Sequence, residues 1–178
     1  MSIINPVLPA QVDCMSIENH LDFSYGRCEI RQYRWSRALN DIFSFDNETC
    51  AINFALSTRP APTRVISIDS APTTLHERLN RTLFVPPGSK LKLTAPKGQL
   101  RSMLCAFDIR KVEEIHKEKF NWGSMAVQAS ALRVLPEIEW ILDSIYREMN
   151  SRNAMRDLAV ESFANILCIK LFRYLSQR

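Results

Sequence analysis

Glycine is scarce in this chain, with four residues in 178, at positions 26, 88, 98 and 123. Neither GxGxxG nor the P-loop pattern can be written with glycines so placed, so the phosphate cradles those motifs build are excluded. Histidine is scarcer. His20, His76 and His116 lie far apart in the sequence, and no HxH or HExxH pair exists to place two imidazoles on one metal. There is no GxSxG either, and Ser89, within PPGSK, belongs to a strand-turn-strand setting rather than a nucleophile elbow. The expectation is a non-enzymatic protein with no catalytic residues, no metal and no cofactor.

Five cysteines, Cys14, Cys28, Cys50, Cys105 and Cys168, are odd in number and irregular in spacing, with no CxxC knuckle. That fits reduced thiols in a cytoplasmic protein, with Cys105 a small core residue of an apolar strand. The charge excess is modest, +4 with a pI near 8.9, below the strongly basic footprint of a nucleic-acid surface. No apolar run approaches the ~20 residues that span a bilayer, so no membrane association is expected. Residues 1–12 are apolar but lack a basic n-region and are broken by Pro6 and Pro9, unlike a signal peptide.

What the chain does have is one change of character, near residue 130. A length of 178 residues suits a single domain, able to bury roughly 70% of its unfolded surface. Before the change, short strands and turns alternate. GRCEIRQYRW, Gly26 to Trp35, sets Cys28, Ile30, Gln32 and Arg34 on one side and Glu29, Arg31, Tyr33 and Trp35 on the other. Asp41 to Glu48 holds turn-formers, and TCAINFALST follows, with Ile52, Phe54 and Leu56 at spacing two. RVISID, RTLFV, Lys90 to Thr94 and LRSMLCAF complete six strand candidates, which suggest a sandwich or barrel that avoids open edges.

After Asp108 the pattern turns helical, first through the charged IRKVEEIHKEKF. Val134, Ile138, Ile141, Leu142, Ile145 and Met149 then mark one helix, with Pro136 in its first turn. Met155 to Leu175 is a longer helix that is apolar nearly all round. Its surplus apolar surface is either sandwiched between the β-domain and the preceding helix or also meets a partner chain.

Polar residues interrupt the strands at Arg34, Gln32, Asn53, Arg81 and Arg101. In a barrel such groups orient a small ligand if they face inward and simply meet water if they do not, and periodicity alone leaves the inward face open.

The stretch RTLFVPPGSKLKLTAPKGQLRSMLCAFD, Arg81 to Asp108, resembles the amino-terminal sensor domain of bacterial AraC/XylS-type transcription regulators. EIRQYRWS, the strand ending ALSTRP and the final ESFANILCIKLFRYL follow in similar order. The resemblance implies an α+β fold, a cupin-like antiparallel jelly-roll barrel followed by two C-terminal α-helices. It divides the chain into an N-terminal arm (1–25), a barrel (26–108), a connecting region (109–132) and a helical dimerisation segment (133–178). It further implies a small-molecule effector in the barrel and a homodimer through the last helix, at Leu158, Ser162, Ile166, Ile169 and Phe172. DNA contact falls to a helix-turn-helix domain that these 178 residues do not contain. Arg34, Trp35 and Arg81 are the expected ligand-facing groups, an aromatic body with fixed donors. The rival readings are a stand-alone cupin-type binding protein or enzyme, and an interaction module with a solid barrel. The PPG turn, with no His in Lys90 to Thr94, departs from metal-binding cupins.

Overall fold

The computed structural model describes residues 12–68, 81–117, 119–120 and 136–176. Among the described residues eight strands precede three helices. The strands are β1 (Cys14–Phe23), β2 (Gly26–Trp35), β3 (Leu39–Ser44), β4 (Thr49–Ala55), β5 (Arg64–Ser67), β6 (Thr82–Val85), β7 (Lys90–Ala95) and β8 (Gly98–Asp108). The helices are α1 (Ile109–His116), α2 (Pro136–Met149) and α3 (Arg156–Ser176).

Every ladder is antiparallel. β2 pairs with β8, β3 with β7 and β4 with β6, so the chain runs as one long hairpin, and from β2 onward successive strands alternate between two sheets. Further pairing of β4 with β8 and of β5 with β7 gives the orders β1-β2-β8-β4-β6 and β3-β7-β5. A hairpin folded across itself in this way is a jelly roll.

The central strands of the larger sheet are buried on both faces. Its inner side sets Ala51, Val85, Leu104 and Ala106 against Val65 and Leu91 of the smaller sheet. Its outer side carries Cys28, Ile30, Ile52, Phe54, Met103 and Phe107, all fully buried beneath α2 and α3. The molecule is therefore three layers deep, helices on sheet on sheet. This is why β8 reads as an almost unbroken apolar run, since each of its faces has a core to join. α2 supplies Ile138, Ile141, Leu142, Ile145 and Met149 at helical spacing, and α3 supplies Val160, Ala164, Leu167, Cys168 and Leu171. Fully burying such a side chain contributes about 1.5–3 kcal/mol.

Two strands depart from the sequence expectation. The stretch read as an arm contains β1, an edge strand whose exposed Ser16, Glu18, His20 and Asp22 mask the buried Leu21 and Phe23. A register shift between Ile17 and Asn19 moves the strand's odd-numbered residues to the helix side, where Asn19 donates to the Met149 carbonyl at 2.6 Å. β3 occupies part of the segment read as turn-formers. Leu39 to Ser44 pairs in unbroken register with Ala95 to Lys90, and that ladder outweighs the poor strand propensity of Asn40 and Asp41.

Met103→Ala, in the middle of β8, is expected to cost about 2–5 kcal/mol in denaturant unfolding through the cavity it leaves. Ile42→Ala, on the half-exposed β3, is expected to stay within about 0.5 kcal/mol of the parent.

Candidate functional site

Between the two sheets lies a cavity of about 120 Å³. Its wall draws on both sheets, with Tyr33, Trp35, Leu83, Val85, Leu100 and Leu104 from the larger and Leu39, Phe43, Val65, Leu91 and Leu93 from the smaller. Three polar side chains interrupt this apolar lining, Arg31, Asn53 and Arg59.

Arg31 is placed by the pleat of β2. Arg27, Glu29, Arg31 and Tyr33 share one face of the strand and form a chain of charge. Arg27 Nη1 donates to Glu29 Oε1 at 3.2 Å, Arg31 Nε donates to Glu29 Oε2 at 2.6 Å, and Arg31 Nη1 meets the Tyr33 hydroxyl at 3.4 Å. Arg31 Nη2 forms a second contact with Glu29, and both side chains are buried, at 1% and 3% exposure. Burial works against the Arg31 charge, but the Tyr33 phenol and the Glu29 carboxylate together hold its pKa above the ordinary arginine value. This guanidinium is locally neutralised.

Arg59 is not. It stands in the loop after β4, partly buried, and no carboxylate pairs with it among the described residues. One nitrogen, Nη2, donates to Asn53 Oδ1 at 3.2 Å and contacts the Arg81 carbonyl at 3.4 Å. Its Nε is enclosed with no hydrogen-bond partner. Burial without a counter-charge pushes its pKa down to about 10. Asn53, on β4, is held by its other end, Nδ2 donating to the buried Ser102 hydroxyl at 3.0 Å. The cavity wall thus carries one uncompensated positive charge on a fixed polar relay, Arg59 to Asn53 to Ser102.

The expected ligand-facing residues divide. Trp35 is 5% exposed, lines the cavity and donates from its indole N–H to the Pro96 carbonyl at 2.6 Å. Arg34 does not reach the cavity; it follows the opposite side of the pleat and is exposed. Arg81 is also outside it. Its guanidinium lies 4.1 Å over the Phe54 ring on the helix side, pairs with Asp143 of α2 at 3.1 Å and donates from Nε to the Ala55 carbonyl at 3.0 Å, so it fastens α2 to the sheet. Arg101 is likewise a helix-side clamp, bound to Glu18 and to the Tyr146 hydroxyl.

Of the expected dimer residues, Leu158 is 54% exposed, Ile166 is 42% exposed, Ser162 is exposed and Ile169 is half-buried. Phe172 is a correction. It is 3% exposed and stacks on Phe120 with ring centroids 4.7 Å apart, so it belongs to the chain's own core.

Among the described residues no three His, Cys, Asp or Glu side chains converge on a metal-holding arrangement. The cavity wall offers guanidinium and amide groups, which do not fit a metal. His20 is exposed on β1 and His116 ends α1, while His76 lies outside the described residues. Cys28 and Cys105 face each other across β2 and β8 with sulfurs 3.1 Å apart, and burial keeps the Cys28 and Cys168 thiols protonated. No described helix is long and apolar enough to cross a membrane.

No family model matches the chain, and no curated protein does. Solved structures similar to it are cupin domains. The cupin domain of Schizosaccharomyces pombe Cnp3 is 8% identical over 60% of this chain and 74% of that one, with a TM-score of 0.39. A cupin 2 conserved barrel domain protein of Salinispora arenicola is 13% identical over 64% and 95%, with a TM-score of 0.36. A Bacteroides fragilis cupin protein is 14% identical over 61% and 86%, with a TM-score of 0.34. The jelly-roll assignment itself stands on the strand order and register described above.

The two cavity arginines should respond oppositely to removal. Arg31→Met leaves the buried Glu29 with Arg27 alone and is expected to cost about 3–5 kcal/mol. Arg59→Met removes a desolvated charge with no counter-ion and is expected to change stability by less than about 1 kcal/mol, measured by urea unfolding of both variants in parallel.

Proposed function

We propose that this chain is the effector-sensing and dimerisation domain of an AraC/XylS-type transcription regulator. A small molecule enters the cavity between the sheets and biases how the C-terminal helices present DNA-binding domains carried elsewhere in the regulator. The observation that carries the reading is the cavity itself, since a solid barrel leaves no room for an effector. Its apolar wall suits a ligand with an apolar body. The resemblance of Arg81 to Asp108 to such sensors, and the order of jelly roll then helices, support the regulator part of the reading.

The second copy docks on α3. The buried stripe from Val160 to Phe172 uses one side of that helix, and Leu158, Ser162 and Ile166 are left facing outward. Trp140 of α2, 62% exposed and edge-on to Phe163 with centroids 6.0 Å apart, extends the same apolar surface. A ligand acts on such a dimer only through a difference in affinity for its two states.

Benzene is a neutral, apolar probe of about the right size. Added to the labelled chain, it is expected to shift the methyl resonances of Leu93, Leu100 and Leu104; unperturbed cavity methyls would remove the sensor reading. For the dimer, Ile166→Glu is expected to halve the mass seen by light scattering without loss of helicity. A parent chain that is already monomeric at every concentration would remove that part instead.

A further inference from the structure

The cavity is not chemically neutral, and the imbalance limits what it can take. Arg31 and Glu29 cancel each other within hydrogen-bonding distance, so the uncompensated charge of the wall is the guanidinium of Arg59. Both hydrogen bonds of Arg59 leave from Nη2, and the enclosed Nε donates to nothing. Asn53 accepts from Arg59 at Oδ1 and donates from Nδ2 to Ser102, so it holds the guanidinium in place.

We propose that the cavity is a site for a small apolar monocarboxylate, whose anionic end pairs with Arg59 and whose hydrocarbon body fills the space among Tyr33, Trp35, Leu93, Leu100 and Leu104. The proposal rests on the sensor reading above and adds the chemical class of the ligand to it. Three considerations select that class. A guanidinium buried without a counter-charge costs free energy, and a carboxylate at the cavity wall supplies that charge through a charge-assisted bond. One guanidinium can offset one negative charge; a phosphate dianion would bring a second charge, and the described wall has no second uncompensated cation to meet it. The volume is the third. At about 120 Å³ it is slightly smaller than an apolar cavity of about 150 Å³ that admits benzene, so the body is limited to about five or six carbons.

Isovalerate and isovaleramide differ in charge and hardly at all in shape, which makes them a matched pair of probes for the intact 178-residue chain. Titrated at neutral pH and followed by the same cavity methyl resonances, isovalerate is expected to bind at least tenfold more tightly than the amide. Arg59→Met is expected to erase that difference while leaving the amide's affinity in place, with Arg59→Gln repeating the comparison should the Met variant fail to fold. Equal binding of acid and amide by the parent chain, or a preference that survives both substitutions, would overturn the carboxylate assignment and leave the cavity reading standing. Inorganic phosphate matching isovalerate would overturn it too, since the apolar body would then contribute nothing. If amide and acid both fail to bind, and benzene fails with them, the sensor reading falls together with its ligand.

Discussion

The centre of the larger sheet has water on neither side, and the rest of the structure depends on that constraint. β4 and β8 sit at its centre, with one row of side chains pressed on the smaller sheet and the next row pressed on α2 and α3. A strand so placed can neither twist away nor slip by one residue, because a slip would exchange every residue between two different cores. The ladders β2 to β8 and β4 to β8 run in continuous register, without the shift that interrupts the outer pair β1 to β2. The helices are thus the third layer of the barrel domain, and they cover apolar area that a two-sheet sandwich would have had to expose.

Against this background the two cavity arginines show how the same side chain serves opposite ends. Arg31 costs desolvation and recovers it through Glu29 and Tyr33, which lie one pleat away on either side of it in β2. The strand carries its own counter-ion, and the result is a rigid, neutral part of the wall. Among the described residues Arg59 has only neutral partners, a side-chain amide and a main-chain carbonyl, so its partly buried positive charge has no counter-charge beside it. A structural role alone leaves that expense unexplained.

Much of the fold was legible in the sequence, because binary patterning survives wherever one face is buried. β2 was found residue for residue, and α2 and α3 to within one or two positions, from alternation and helical spacing. β1 and β3 were obscured for the same reason as each other. Each is largely solvated, so its polar residues resemble a loop, and only pairing with β2 or β7 makes it a strand. The site was less legible. The alternation of GRCEIRQYRW already places Trp35 with Arg31 and Tyr33 and opposite Arg34, so Arg34 and Trp35 could never have shared a cavity. Arg81 reads from the sequence as a fixed donor that interrupts an apolar strand, but its partners Asp143 and Phe54 lie on the far side of the sheet. Arg59 carried no signal at all. It lies in a loop ended by Pro60, outside any periodicity, and its importance arises from a fold that brings Asn53 beside it and no acid among the described residues.

The pleat of β4 has one further consequence. Asn53 faces the cavity while its immediate neighbours, Ile52 and Phe54, are packed beneath the helices, so the barrier between the cavity and the helical layer is the thickness of a single backbone. Asn53 adjoins Phe54 along the strand, the Arg81 guanidinium rests on that ring, and Arg81 pairs with Asp143 of α2. The span from the inside of the barrel to the outermost layer of the molecule is three consecutive contacts.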